Sequence, residues 1–274
     1  MLGRDVFAAA SAAGHEVTAL GRSELDITDA GAVRETVASA RPDVVVNCAA
    51  YTAVDAAEAD AETAQAVNGG GAGHVAGAAA RIGAWTLHVS TDYVFDGSKR
   101  SPYVESDATS PLSVYGASKL AGEQAVAAAA PEAHTIVRSS WLFGAGGPCF
   151  PATMLALAQE RDELTVVVDQ VGCPTFTGHL APALIDLAHR PAPPLGIVHV
   201  AAEGECSWHT FAVEIFRRAG ADISVRAGST AELGRPAARP ANSVLRTERG
   251  PAVPRLPGWQ EGLAAYMEAR VAVR

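Results

Sequence analysis

The stretch W-T-L-H-V-S-T-D-Y-V-F-D-G, Trp85–Gly97, decides how the chain is read. Its first five residues are a short apolar run of strand-like composition. The run delivers Ser90 and Thr91 to a strand end, where open α/β sheets keep their chemistry. Pro111 closes the next loop, and S-V-Y-G-A-S-K-L-A-G-E-Q-A-V-A-A from Ser113 opens a helix. Tyr115 and Lys119, four residues apart, share one face of that helix. A Lys ammonium beside a buried phenol favours the phenolate and draws the Tyr pKa towards neutrality. The pair is then a general acid/base able to exchange a proton with an alcohol or ketone oxygen. The Thr91 hydroxyl can hydrogen-bond that same oxygen. A Tyr and a Lys at this spacing also occur as mere packing plus a solvated charge, and the upstream S-T-D is what makes them a candidate site.

Strands and helices alternate outward from this segment. Leu2–Ala13 reads as an Ala-rich helix ended by Gly14, and Val17–Leu20 as a short strand leading to Gly21-Arg22-Ser23. Ala30–Ala40 is helical, capped by Thr28 or Asp29. Asp43–Ala50 contains a continuous apolar strand of the kind buried in parallel sheets. A long helix covers Ala59–Ile82, weakened at Asn68-Gly69-Gly70-Gly71. His134–Phe143 is the next strand, Phe150–Glu160 a helix, Leu164–Asp169 a strand, Gly178–Ala188 a helix and Ile197–Ala201 a strand. Ser207–Ala219 is helical with Ser207 as N-cap, Gly228–Pro257 mostly loop, and Gly258–Ala269 the last helix. This alternation with short links predicts an α/β fold, a Rossmann-like doubly wound parallel sheet with a smaller C-terminal lobe. The expected division is a dinucleotide-binding domain over 1–148, with 176–202 returning to it. The substrate lobe is built from 149–175 and 203–274.

With 274 residues, 49% hydrophobic and 19% charged, the chain is globular rather than disordered. A net charge of -9 argues against nonspecific nucleic-acid or anionic-membrane binding. Cys48, Cys149, Cys173 and Cys206 lie far apart without a CxxC, which reads as reduced, structural cysteine in a cytoplasmic protein. The histidines show no HxH or HExxH spacing that would suggest a transition-metal site. No apolar run approaches the roughly 20 residues of a membrane span. The Ala-rich start is interrupted by Asp5 and followed by a strand, so it is not read as a signal peptide.

Strand–S-T-D-Y-V-F-D-G followed by P-x-x-x-Y-G-x-S-K-L-x-G-E resembles the extended short-chain dehydrogenase/reductases. Within them it is most similar to the dTDP-4-dehydrorhamnose reductase family. The resemblance runs from Leu2 to about Leu263 and weakens after residue 200. It implies NADP(H) as cofactor, with Tyr115 as proton donor, Lys119 lowering the Tyr115 pKa and holding the nicotinamide ribose, and Thr91 orienting the carbonyl. The implied substrate is a dTDP-linked 4-keto-6-deoxyhexose. The alternatives are another sugar-nucleotide epimerase or reductase of the superfamily, or a non-catalytic NADP-binding regulatory subunit. A homodimer belongs to the same expectation, as does a Mg²⁺ held between subunits whose carboxylate ligands are not placed.

The resemblance adds further positions. A fold of this kind opens with a strand and a glycine-rich phosphate loop. Here Leu2 and Gly3 match only the end of that loop, which reads as a mis-assigned start or a truncation. Arg22 stands where an acidic residue would take a ribose 2′-hydroxyl and suits a 2′-phosphate, or is a solvated loop Arg. Asp26 and Ile27 resemble the adenine contact, or the lead-in to the next helix. Ala49, Ala50, Tyr51 and Thr52 resemble the A-A-x-T turn that lets the backbone pass close to the cofactor, with Ser90 also on the cofactor side. Asn47 and Asn68 read as structural polar residues. Asp92 resembles a substrate contact or a turn Asp, and Trp141 a ring against the sugar or a core Trp. Q-V-G-C-P-T (Gln170–Thr175) and A-R-P-A-N-S-V-L (Ala238–Leu245) resemble two more family segments, with Arg239 a candidate for the diphosphate.

Overall fold

Side chains alternate between the two faces of a strand, so a strand covered on both sides must carry something to bury on each. In a computed structural model describing residues 1–272, the predicted alternation folds in this way. The helices are α1 (Leu2–Ala12), α2 (Ala30–Ala40), α3 (Val54–Ala57), α4 (Ala61–Gln65), α5 (Ala72–Arg81), α6 (Val114–Ala129), α7 (Phe150–Leu157), α8 (Thr177–His189), α9 (Trp208–Ala219), α10 (Thr230–Leu233) and α11 (Trp259–Ala272). The strands are β1 (Val44–Asn47), β2 (Trp85–Thr91), β3 (His134–Ser139), β4 (Leu142–Phe143), β5 (Glu163–Val167), β6 (Val171–Gly172), β7 (Thr175–Phe176), β8 (Gly196–His199), β9 (Cys206–Ser207) and β10 (Ser224–Gly228).

The main sheet is parallel in the order β1-β2-β3-β8. On one face Leu87, Val137 and Val198 pack with Leu2 and Val6 of α1 and Leu180 and Leu184 of α8. On the other, Ile136 packs with Ala72 and Ala76 of α5 and Val126 of α6. His88, Ser90 and Arg138 have the parity of this second face and meet α6. A separate apolar cluster joins β5, α7, α9 and α11 through Leu164, Val166, Leu155, Phe211, Ile215 and Leu263, with Phe143 of β4 buried in it.

Four local readings need correction. Val17–Leu20 is not a strand, and Leu20 is exposed. A strand needs a neighbour, and this segment has no ladder partner among the described residues. Asp43–Ala50 contracts to β1, which lies at the sheet edge with its three valines only half-buried. The long 59–82 helix becomes α4, a π-helical turn over Ala66–Gly71 and α5, so the glycines widen the helix instead of ending it. The 134–143 strand breaks into β3 and β4 because Trp141 adopts φ +47°, a left-handed conformation that leaves the ladder. Ser224–Gly228 forms a strand parallel to β5 that the sequence reading missed, although Ile223, Val225 and Ala227 alternate with polar residues.

Candidate active site

Ser113 caps α6, its hydroxyl accepting from the Gly116 N–H at 3.1 Å. Tyr115 therefore sits in the first helical turn, against the strand end of β2. A Cβ on Gly116 would fall on the Tyr93 carbonyl oxygen, so only glycine lets α6 approach the S-T-D-Y turn this closely. The Tyr115 ring meets Tyr93 edge to face, centroids 5.6 Å apart. Burial pushes its phenol up to about 12, the Thr91 hydroxyl pulls it partly back and Asp92 adds to the rise. Lys119 does not enter that balance. Its Nζ donates to the Val89 carbonyl at 2.7 Å and lies 3.3 Å from His88 Nε2, one turn below the phenol. The expected neutral-range Tyr115 is therefore not found, because the amine is held by strand groups. Burial also brings Lys119 down to about 8, opposed by Glu123 and Cys48.

One turn further on, Glu123 accepts from Ser90 Oγ at 2.6 Å and from the Arg138 guanidinium at 2.8 and 2.6 Å. Both charged side chains are at most 3% exposed, and Arg138 also stacks over Phe95 at 5.1 Å. Tyr115, Lys119 and Glu123 thus form one i, i+4, i+8 row. The sequence reading missed the last of these and its partner. The signals were a Glu on the Tyr–Lys face and an Arg inside the apolar strand H-T-I-V-R-S, since a buried charge demands a partner.

Asn68, read as structural, holds the 49–52 turn. Its Oδ1 accepts from the Tyr51 N–H at 2.8 Å, and its Nδ2 donates to the Tyr51 carbonyl and to Ser118 Oγ. Ala49 and Thr52 are exposed, while Ala50 and Tyr51 are half-buried. A Cβ on Gly122 would fall on the Asn68 carbonyl oxygen. Gly122→Ala should therefore push α6 off the π-helical turn and lower stability by about 1–3 kcal/mol. Chemical denaturation checks this, and an unchanged midpoint would remove the contact from the account.

Leu2 and Gly3 lie in the first turn of α1. Leu2 is core, and Gly3 is exposed beside Cys48. The first turn of α1 has no side-chain cap, and uncapped N–H groups at a helix start suit a phosphate. Arg22 is exposed and enters no ion pair among the described residues. Asp26 forms an Asx-type turn with the Thr28 N–H and hydroxyl, and these bonds lower its pKa. Ile27 packs across the bare face of Gly71. Asp29, not Thr28, caps α2.

On the other side of Tyr115, Asp92 is 2% exposed. Burial raises it to about 6, with Ser243 and Thr91 opposing. Its Oδ1 accepts from Thr91 Oγ1 at 3.0 Å, while Oδ2 has no hydrogen-bond partner among the described residues. Trp141 is half-buried and stacks on Trp208, with centroids 3.5 Å apart and planes 3° from parallel. Gln170 Oε1 accepts from the Trp208 indole N–H. The two family-like segments pair with each other, Val171 N–H donating to the Ala241 carbonyl and Ser243 N–H to the Val171 carbonyl. Arg239 is not an open anion site here, because its fork is engaged by Asp55 with two bonds of 2.9 Å. That contact holds Asp55 down to about 2.

Comparison with known proteins bears on this arrangement. The family described as RmlD substrate binding domain matches residues 1–271. The dTDP-4-dehydrorhamnose reductase of Streptomyces griseus is 49% identical over 253 residues, 91% of this chain and 83% of the relative. That of Escherichia coli K12 is 42% identical over 249 residues, 87% of this chain and 83% of the relative. The crystal structure of dTDP-4-dehydrorhamnose reductase from Bacillus anthracis in complex with NADP superposes with a TM-score of 0.94 at 37% identity, covering 98% of this chain and 95% of that one.

Proposed function

Because the chain belongs to the dTDP-4-dehydrorhamnose reductase family, we propose that Tyr115, Lys119 and Thr91 carry out its reaction. That reaction is the NADPH-dependent reduction of the 4-keto group of a dTDP-4-dehydro-6-deoxyhexose, taking dTDP-4-dehydro-L-rhamnose to dTDP-L-rhamnose. The observation that carries the residue assignment is the meeting of Tyr115 and Thr91 at the end of β2, with Lys119 one turn below.

NADPH supplies the hydride that reaches the carbonyl carbon. The residues present fit this cofactor: the uncapped start of α1, the Asn68-pinned turn Ala49–Thr52, and Lys119 at the sheet end would hold its phosphates and nicotinamide ribose. Arg22, with Asp26 and Ile27 beside it, would face the adenosine end. Thr91 Oγ would donate to the substrate carbonyl oxygen and fix it against Tyr115, turning its one proton away from Asp92 Oδ1 to do so. Tyr115 gives that oxygen a proton. A phenol near 12 is fully loaded at neutral pH, which is the state a reductive step needs. Lys119, one turn below, would favour the transfer to the extent that it carries its proton when the phenolate forms. Asp92 and Trp141 would contact the sugar. Arg239 would reach a diphosphate only by leaving Asp55.

The same proposal includes the division into a cofactor domain over 1–148 with 176–202, and a substrate lobe from the rest. The separate apolar clusters support it. Four unpaired thiols support a reducing, cytoplasmic setting, and no helix among the described residues is long and apolar enough to cross a membrane. No group of three or more His, Cys, Asp or Glu side chains converges among the described residues. No step is routed through Mg²⁺. A homodimer remains part of the reading.

The test is NADPH consumption with dTDP-4-dehydro-L-rhamnose. A folded protein that consumes none refutes the assignment. Lys119→Met should weaken both NADPH binding, followed by cofactor fluorescence, and turnover. An effect on neither would remove Lys119 from the site.

A further inference from the structure

His88 projects from β2 into the layer below the catalytic row and is fully buried. Its hydrogen-bond partners constrain where its proton can sit. The Ala49 N–H donates to Asn47 Oδ1 at 3.0 Å. A backbone N–H only donates, so the Asn47 amide is fixed with its oxygen on that side. Asn47 Nδ2 then faces His88 Nδ1 at 3.2 Å. An amide NH₂ also only donates, so Nδ1 must be the acceptor. A neutral imidazole accepting at Nδ1 carries its proton on Nε2. Nε2 lies 3.3 Å from Lys119 Nζ. An N–H can donate to Nζ only when Nζ has a lone pair, that is, when Lys119 is the neutral amine. The amine then donates onward to the Val89 carbonyl.

We propose that Asn47 and His88 act as a positioning pair that fixes the His88 tautomer and thereby disfavours the ammonium form of Lys119. Protonating Lys119 requires the imidazole to move its proton from Nε2 to Nδ1. Nδ1–H would then face the NH₂ of Asn47, and that contact is lost. The protonation state of the lysine is thus set from β1, two residues removed from it. The other ionisable groups facing Lys119 act differently. Glu123 on α6 and Cys48 after β1 favour the ammonium, while burial opposes it. Arg138 is neutralised by Glu123, Tyr115 is a neutral phenol and Asp92 lies on its far side. His88 is itself kept uncharged, first by burial and, whenever Lys119 does carry its proton, by that charge as well. The consequence for the reaction rests on the role of Lys119 given above: the pair sets what share of Lys119 carries a proton, and so a charge, when Tyr115 gives its own proton to the substrate oxygen.

The chain has two lysines, Lys99 and Lys119, which makes a direct test feasible. In protein labelled with ¹³Cε-lysine and free of cofactor, an NMR pH titration gives two signals, and Lys99→Arg assigns them. Asn47→Ala removes the donor that pins Nδ1 and touches neither lysine. It should raise the Lys119 midpoint by about one unit, a tenfold gain in proton affinity, with Lys99 unmoved. His88→Gln, which can turn its amide oxygen to an ammonium, should raise it similarly. The alkaline limb of the turnover profile should move the same way. A Lys119 midpoint unchanged in both variants, with the Lys99 signal and the melting temperature retained, overturns the inference. The titration needs no substrate, so its failure is distinguishable from failure of the reductase reading.

Discussion

Replacing Tyr115 by Phe should lower turnover by about 10²–10⁴-fold while NADPH affinity barely moves. In barrier terms that is about 3–5.5 kcal/mol. The substitution keeps the ring, its edge-to-face contact with Tyr93 and the first turn of α6. It removes one oxygen and the proton that goes to the substrate. Lys119, Asn68 and the 49–52 turn are untouched, so the surfaces assigned to the cofactor persist. Turnover follows from NADPH consumption and affinity from cofactor fluorescence. Unchanged turnover would refute the proton-donor role, and lost cofactor affinity would mean that Tyr115 does more than donate.

The second large effect is on stability. Arg138→Met should destabilise the fold by about 3–5 kcal/mol, because it strands the Glu123 carboxylate in a dry layer. For a chain of this size that lowers the melting temperature by roughly 10 °C. The double variant Arg138→Met/Glu123→Leu should recover much of the loss, since neither charge is then left alone. Ser90 Oγ would lose its acceptor in the double variant, so recovery stays incomplete. Thermal unfolding of the single and double variants decides the point. A double variant as unstable as the sum of two independent losses would mean that the pair is not what the layer depends on.

How far the sequence could be read depends on which interactions are local. Helix ends were legible because caps act within four residues: Ser207 and Asp29 cap α9 and α2. The catalytic helix was legible because Tyr115 and Lys119 are one turn apart. Strands were legible where their own apolar runs are buried, as in β2 and β3. They were misread where a partner decides. Val17–Leu20 has strand composition but no neighbour, and β10 exists because β5 lies beside it. The break at Trp141 depends on a left-handed residue that no composition rule expects in a large aromatic. The Tyr115 environment was misjudged for a similar reason. Spacing places Lys119 on its face, but the Val89 carbonyl and His88 decide where the amine points. Arg239 was read as free because Asp55, 184 residues away in sequence, is invisible to local reasoning.

The parallel indoles of Trp141 and Trp208 belong to different parts of the chain, one following β3 and the other opening α9. Two such rings in van der Waals contact couple their electronic transitions. The enzyme thus carries an intrinsic chromophore pair whose near-ultraviolet circular dichroism depends on the registry of strand and lobe. Any sugar nucleotide that slides against Trp141, or any motion of α9, alters that signal without an added dye.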